Sequence, residues 1–400
     1  MKNLIGNRLG SQSGFTLIEL MVGLFVGLLV VLAILSSTAL LNMQRKITVS
    51  GANAQASALN AIAIISREAR QAGAGFFNRQ QLLCTTINIY YNGTVVSNGQ
   101  PFMPVSIADG GSASDSVVFS YANSTGGLTT ANVVKDMPNP SSNFTVNHQG
   151  GLAVGDVALI GVPGSNRPCT LFNITAVTPG GGNCGGVTND CVNIQHNSGS
   201  SGPYNPPNPN NAFSDSPTYG FVNNPPSIIG PAVIARMGSF RRQQFLIRCG
   251  TLVSTSLTDS GVPSCTSSPL SFTNLTPQVN DVVYMKAQYG IVASASSDEV
   301  TSWESATGSW QNPTAASIPL IKAIRVVLIA RDKDPSVENV STACTNQAGV
   351  VNVGPCSFQD SDAPIIDLSG ITVATGKTWR NYRYKVYMNI IPLRNVAWNY

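Results

Sequence analysis

The chain has 400 residues, 43% of them hydrophobic, at a mean hydropathy of +0.10, which supplies a sizeable core and excludes a chain disordered throughout. Only 10% of residues are charged and the net charge is +4, part of it from Lys2 and Arg8 ahead of Gly14, a balance that argues against a dominant electrostatic partner such as duplex DNA. Few charges with abundant Gly, Asn, Ser and Thr read as an exported, loop-rich β protein.

The first element is a long apolar run from Gly14 to Leu41. Its single charge is Glu19, and no other follows until Arg45. From Leu20 to Gln44 there is room for a membrane-spanning helix, for which about 18 apolar residues suffice. A carboxylate in hydrocarbon costs on the order of a few kcal/mol, so Glu19 requires a partner. An ordinary secretory signal has an apolar core of about 7–15 residues with its cleavage site close behind. Here the run is longer, contains Glu19, and lies well upstream of the small-residue sites from Ala52 to Ala58, so that reading is set aside. Gly23 and Gly27 form a Gly-x-x-x-Gly spacing that allows close helix approach and fits equally well with glycine tolerated in a membrane helix. Further on, Ile47, Ala54, Ala58, Ala61, Ile65 and Ala69 recur at helical spacings, so the helix is predicted to continue until Gly73 and Gly75 stop it. From Phe15 to Gln71 it is roughly 85 Å long. On the residues alone, Arg67, Glu68 and Arg70 read as a solvated helix end.

From Leu82 the period changes to two. Thr86 to Tyr91, Ser116 to Tyr121, Asp156 to Ile160, Leu171 to Val177 and Cys191 to Gln195 read as strands separated by Gly, Asn and Pro clusters, hence as antiparallel sheet. The Pro/Asn/Gly-rich stretch at about 197–231 reads as a loop with no means of burying itself, inserted in one domain. In the strand from Ile318 to Arg331, Ile324, Val326 and Leu328 fall on one face and Val327 and Ile329 on the other, as in a strand covered on both sides. The last strand, Trp379 to Ile391, alternates Tyr382, Tyr384, Val386, Met388 and Ile390, expected buried, with Arg383, Lys385, Tyr387 and Asn389, expected polar and outward.

Eight cysteines, all beyond the apolar run, point to an oxidising compartment, and the lack of any Cys-x-x-Cys pair argues against zinc and thioredoxin-like chemistry. Eight cysteines allow 105 pairings. Short loops favour Cys249 with Cys265 and Cys344 with Cys356, leaving Cys84, Cys169, Cys184 and Cys191 to share two more. His148 and His196 lie in no metal or nucleophile motif. Thr375-Gly-Lys-Thr378 lacks the first glycine of a phosphate loop and reads as a hairpin turn. Asp332 to Glu338 has carboxylates without calcium-loop spacing. Arg236, Arg241, Arg242, Arg248, Arg380, Arg383 and Lys385 read as exposed strand faces rather than a nucleic-acid surface. No catalytic residue, metal or cofactor is expected.

Gly14-Phe15-Thr16-Leu17-Ile18-Glu19 ahead of an apolar run resembles the processing signature of type IV pilins and type II secretion pseudopilins. The resemblance implies cleavage by a prepilin peptidase between Gly14 and Phe15, N-methylation of Phe15, and pairing of Glu19 with the N-terminal amine of a neighbouring subunit, which supplies the partner that the buried acid needs. Where many major pilins have a proline, Ser36 stands here, which puts local helix melting on assembly in doubt. Arg67-Glu-Ala-Arg-Gln-Ala-Gly73, Gln288-Tyr-Gly-Ile291, Leu328-Ile-Ala-Arg331, Tyr382-Arg-Tyr-Lys-Val-Tyr387 and Pro392-Leu-Arg-Asn395 resemble, in the same order, minor pilins of the PilW family. Asn78 to Asn280 carries no such resemblance.

The fold implied is α+β and pilin-like: leader 1–14, a long N-terminal α-helix over 15–75 with its membrane and assembly half at about 15–41, and a disulfide-containing, mainly antiparallel β domain over 76–400. The role implied is non-enzymatic: a minor pilin priming pilus assembly at or near the tip. Its partners would be other minor pilins, the major pilin, the prepilin peptidase and a large tip adhesin, with the inner membrane as anchor before assembly and the globular domain periplasmic. A minor pseudopilin of type II secretion and a membrane-anchored periplasmic binding module are the rival readings.

Overall fold

The apolar run and the stripe behind it form one helix, α1 (Leu17–Gln71). It belongs to a computed structural model that describes residues 14–78, 81–82, 84–123, 130–135, 137, 139, 141–162, 167–180, 191–198, 202–208, 232–256, 265 and 275–397. The leader before Gly14, Cys184 and most of the 197–231 loop lie outside the described residues. Two units divide the chain, one ending at Asn53 and one running from Ala54 to Tyr400. In the first, the span Leu17–Thr38 has a mean hydropathy of 2.8, and every side chain described in it is exposed. It is long and apolar enough to cross a membrane.

In the second unit α1 ends at Gln71, and Gly73 just beyond it has a φ of 80°, open to glycine at little cost. A two-strand hairpin, β1 (Phe77–Asn78) with β2 (Gln81–Leu82), comes next. Then come β3 (Thr86–Tyr91), β4 (Thr94–Pro101), β5 (Val105–Ala108), β6 (Ser116–Asn123), β7 (Thr130–Lys135), β8 (Phe144–Val146), β9 (Val157–Gly161), β10 (Cys169–Asn173), β11 (Ala176–Pro179), β12 (Val192–Gln195), β13 (Val233–Arg248), β14 (Thr251–Ser256) and β15 (Thr276–Asn280). These thirteen form one sheet, β11-β12-β8-β7-β13-β9-β10-β3-β4, with β6 and β14 also on β13 and with β5 and β15 on their outer edges. Its pairings are antiparallel except β10 with β3, so the sheet is mixed. Its hub is β13, whose first part pairs with β7 and β9 and, past a bulge at Gly238, whose second part pairs with β6 and β14. Apolar layers cover both faces: Phe144, Ala158, Ile160, Phe172 and Ile234 on one side, Ile87, Leu159, Leu171, Ala235 and Met237 on the other.

The rest of the chain is β16 (Val282–Val292), β17 (Val300–Glu304), β18 (Ile321–Arg331), β19 (Cys344–Thr345), β20 (Val351–Asn352), β21 (Tyr384–Pro392) and a short α2 (Arg394–Ala397). The antiparallel order is β17-β16-β18-β21, with β19 and β20 paired separately. As predicted, β18 is covered twice. Ile324, Val326 and Leu328 share a core with Ala61, Ile65, Ala69 and Ala72 of α1, while Val327 and Ile329 pack under Ile366, Leu368 and Trp379. α+β is therefore the class: an apolar N-terminal helix and a large, mainly β domain.

Several expectations need correction. The predicted strand from Leu171 to Val177 is two, β10 and β11, because the chain turns at Ile174 and Thr175. Ile318 to Leu320 is a 3-10 turn with Pro319 in it, so β18 starts only at Ile321. Thr375 to Thr378 is a turn, with the Lys377 N–H on the Ala374 carbonyl at 3.0 Å, but it leads into a 3-10 turn at Trp379–Asn381 and joins no two strands. The 197–231 loop buries part of itself. Tyr204, Asn205 and Pro206 are buried, the Asn173 N–H donates to Asn205 Oδ1 at 2.8 Å, the Tyr204 N–H donates to Asn173 Oδ1 at 2.9 Å, and the Tyr204 ring meets Tyr91 and Phe240 edge-on. One aromatic residue and two complementary asparagines suffice to anchor a segment whose average composition is loop-like.

In the second half of β21 the faces are reversed from expectation, while Tyr382, Tyr384 and Val386 are covered and Lys385 is exposed as expected. Tyr387 packs on Ala54 and Ala58, Asn389 Nδ2 donates to Ser66 Oγ at 2.9 Å, and Ile391 enters the core, so the alternate row faces α1. Met388 and Ile390 are 46% and 52% exposed, because the layer that covers Val327 and Ile329 reaches only Tyr384 and Val386 on this edge strand.

Candidate functional site

The residues expected from the sequence to serve processing and assembly lie at the start of α1. Gly14 and Phe15 lie ahead of the first helical turn; Phe15 is 89% exposed and nothing lies within 4 Å of a Cβ built on Gly14. Thr16 is the N-cap. Its hydroxyl accepts the Glu19 N–H at 3.3 Å, and Glu19 Oε2 accepts the Thr16 N–H at 3.1 Å and its hydroxyl proton at 3.0 Å. This is a capping box, and the carboxylate also sits at the positive end of the helix dipole. Thr16-x-x-Glu19 is legible in the sequence as that signature, and reading Glu19 only as an intermolecular group missed it. A cut before Phe15 would leave the Thr16 N–H a peptide amide, and with it the box.

Further along, the hydroxyls of Ser36 and Ser37 both donate to the Ala33 carbonyl at 2.9 Å, and Thr38 donates to Ile34 and Leu35. Back-bonding of this kind satisfies hydroxyls that lipid cannot. The helix passes Ser36 without a break.

The second half of α1 is held on the β domain by a small-residue stripe and a polar rim. Ala54, Ala58, Ala61, Ala69 and Ala72 let the helix backbone approach the sheet closely, with Ile65 filling the middle. Glu68 is buried rather than solvated: its Oε2 accepts the Tyr121 hydroxyl at 2.6 Å and its Oε1 lies 3.2 Å from Arg67. Burial first, and then the Glu68 carboxylate, push the Tyr121 phenol well above its ordinary range. Asn395, 325 residues from Arg70, donates to the carbonyls of Arg70, Gln71 and Ala72 at 3.1–3.2 Å, so the end of the chain closes the last turn of α1.

The far face of the four-stranded sheet carries a polar hub. Arg325, 1% exposed by its side chain, donates to Gln288 Oε1 and Asp360 Oδ2 at 2.7 Å and to the Asp362 carbonyl, and its guanidinium lies between the rings of Trp303 and Phe358 at 4.9 and 4.6 Å. Gln288 returns its amide to Ser305 and Asp362. A Cβ on Gly290 would lie 2.8 Å from Trp303 Cζ3, so glycine is needed for the ring to sit there. Lys286 pairs with Asp115 at 2.7 Å, although burial outweighs that cation and raises the Asp115 carboxyl above its usual value. A cleft of about 550 Å³ lies beside Lys286, Gln288 and Trp303. Its buried Lys286 and Gln288 are bonded to protein groups, so the cleft is braced rather than awaiting a charged ligand. Gln288, Tyr289 and Gly290 thus have separate duties: hub, a hydroxyl accepting the Ile107 N–H at 2.7 Å on the opposite face, and room for Trp303.

Other sequence candidates disperse. Arg236 of β13 is paired with Asp156 at 2.8 Å, while Arg383 donates to Ser336 and Arg380 stacks on Trp379, so these three are engaged by protein groups. Asp332 is buried, its carboxyl raised by that burial against Arg383 and Lys385. Among the described residues no group of three or more His, Cys, Asp or Glu is placed to hold a metal. His196 is buried against Phe144 and Phe172, which lowers its pKa, with Nε2 at 2.9 Å from the Ser142 carbonyl. The disulfides are Cys84–Cys169, Cys249–Cys265 and Cys344–Cys356; Cys191 is disulfide-bonded too, and Cys184 lies outside the described residues.

Two family models match the chain. That of the prokaryotic N-terminal methylation motif covers residues 9–36, which contain Gly14, Phe15, Thr16 and Glu19. That of the Type IV Pilus-assembly protein W covers residues 250–395, which contain β16, β18, β21 and the capping Asn395. The chain is type IV pilus-related and pilin-like. No curated protein and no solved structure matches it. In this pilin-like chain the family match contains β18, β21 and Asn395, which hold one side of α1, together with the Arg325 hub, while β5 and β6, whose Tyr121 bonds Glu68, lie outside it with the rest of β1 to β13.

Proposed function

We propose that the chain is a minor pilin that helps prime type IV pilus assembly at the inner membrane and is incorporated at or near the pilus tip, with its β domain in the periplasm before assembly. The prepilin peptidase cuts between Gly14 and Phe15, Phe15 is N-methylated, and Glu19 pairs with the N-terminal amine of a neighbouring subunit. Its partners are the other minor pilins, the major pilin and a tip adhesin. One observation carries this reading: the methylation motif opens a helix whose apolar span is wholly exposed and holds one carboxylate, Glu19, at its first turn. Such a helix requires lipid or other helices around it, at about 25 cal/mol per Å² of apolar surface covered. The match to the pilus-assembly family favours pili over type II secretion. The internally paired groups of the cleft weigh against a periplasmic binding module.

The test is the N-terminal sequence and mass of the mature protein from membranes with and without the peptidase, with a Glu19→Ala variant scored for pili. A chain starting at methylated Phe15, and pili lost in Glu19→Ala while the protein stays in the membrane, is the expected result. A chain starting at Met1 or near Ala58 overturns it. Lost secretion with normal pili in a deletion strain would move the role to type II secretion.

A further inference from the structure

In the thirteen- and four-stranded sheets, every edge strand but one is blunted among the described residues. β4 is polar, ends in Pro101 and pairs with β3 through two register shifts; β15 contains Pro277 and a shift; β17 has five residues and a shift; β5 and β11 have four residues each. These are the usual devices that keep an open row of N–H and C=O groups from recruiting another chain.

β21 has a lysine and a proline only near its two ends, Lys385 and Pro392, and no shift between them. It runs nine residues in unbroken register with β18, from Ala323↔Pro392 to Arg331↔Tyr384, and among the described residues it pairs with no other strand. Between Lys385 and Pro392 lies Val386-Tyr-Met-Asn-Ile-Ile391, a charge-free window of high β propensity without Gly or Pro. Met388 and Ile390 stand half-exposed on one face, while Tyr387 and Asn389 fix the other to α1. Such an edge left open is a self-association hazard. A chain that blunts its other edges and leaves this one unpaired among its described residues calls for a partner there.

We propose that the free edge of β21 is an interface at which a neighbouring pilin subunit adds an extended strand, main chain to main chain, with apolar residues at alternate positions beside Val386, Met388 and Ile390. Backbone pairing sets the affinity, and the alternate apolar row sets which strand and register fit. The inference rests on the pilin-like reading and names the contact through which this subunit meets its neighbour. Because the same strand grips α1 between Ala54 and Ser66, a strand added there stiffens the seat of the helix.

The experiment places a photo-crosslinking amino acid, benzoylphenylalanine, at position 388, at 390 and, as control, at the 64% exposed Val154, in the full-length protein in its own cells. The expected result is an adduct from 388 and 390, absent from 154, whose partner mass spectrometry identifies as another processed pilin subunit. An adduct with a second copy of this chain, with a protein that is no pilin, or no adduct at all overturns the proposal. A paired Met388→Lys, Ile390→Lys variant, with both side chains already half-exposed, is expected to keep its membrane level and lower piliation about tenfold; unchanged piliation overturns the proposal as well. If Phe15 is the mature N-terminus and Glu19→Ala abolishes pili, but 388 and 390 give no adduct, the strand contact falls and the function stands. If the N-terminus is not Phe15, the function itself falls.

Discussion

Removing one oxygen, by Tyr121→Phe, tests how α1 is seated. The ring stays in the core, but Glu68 Oε2 loses the hydroxyl that donates to it at 2.6 Å, and Arg67, which pairs with Oε1, has a side chain 69% exposed. A hydrogen bond to a charged group contributes about 1.5–3 kcal/mol, and a buried acceptor left unmet costs a similar amount. The expected loss is about 2 kcal/mol, felt where α1 meets the sheet. Hydrogen exchange of the α1 amides from Ala58 to Ala72, in detergent, reads it locally: about 2 kcal/mol speeds exchange about 30-fold. Glu68→Gln, which keeps an acceptor, should cost about half as much, and the double variant should fall short of the sum by about 1 kcal/mol because the two share one bond. Exchange altered by less than threefold, or strict additivity, would refute the claim that this pair holds the helix.

The same contacts predict three further outcomes. Asn395→Ala removes the donor for three carbonyls and should cost about 1 kcal/mol, seen as faster exchange of the last turn of α1 with no change in the cleft. Gly290→Ala puts a methyl 2.8 Å from Trp303 and should cost about 1–3 kcal/mol, with a shift in tryptophan fluorescence. Stability should fall in alkali, because Tyr204, Tyr284 and Tyr289 have phenols pushed up to about 12 by burial. The folded chain then holds protons that the unfolded chain releases above about pH 10, so their contribution is complete below pH 10 and is lost between about pH 10 and 12; a urea midpoint that does not move over that interval refutes it.

Much of the anchor was open to reading because its information is local. Hydropathy and helical spacing need only neighbours in sequence, and Thr16-x-x-Glu19 closes within one turn. The two-sided burial of β18 was readable for the same reason, since apolar residues on both faces admit one explanation. What could not be read depended on partners far away in the chain. Alternation in β21 showed two faces but not which one α1 would take. The low complexity of 197–231 concealed Tyr204 and Asn205, whose fit depends on Asn173 and Phe240.

By itself the sequence determined the long helix with its exposed apolar span, the placing of its one carboxylate at the first turn, and the mainly β character of the chain beyond Leu82, because those depend on the period and chemistry of consecutive residues. Only the tertiary structure decided that Glu68 is buried on Tyr121, that Asn395 closes a helix that ended more than 300 residues earlier, that Arg325 is held against two rings, and that β21, among the described residues, pairs on one side only. Each of these joins groups distant in the chain, and the free energy that selects them comes from burying one against another, which a pattern along one segment does not contain.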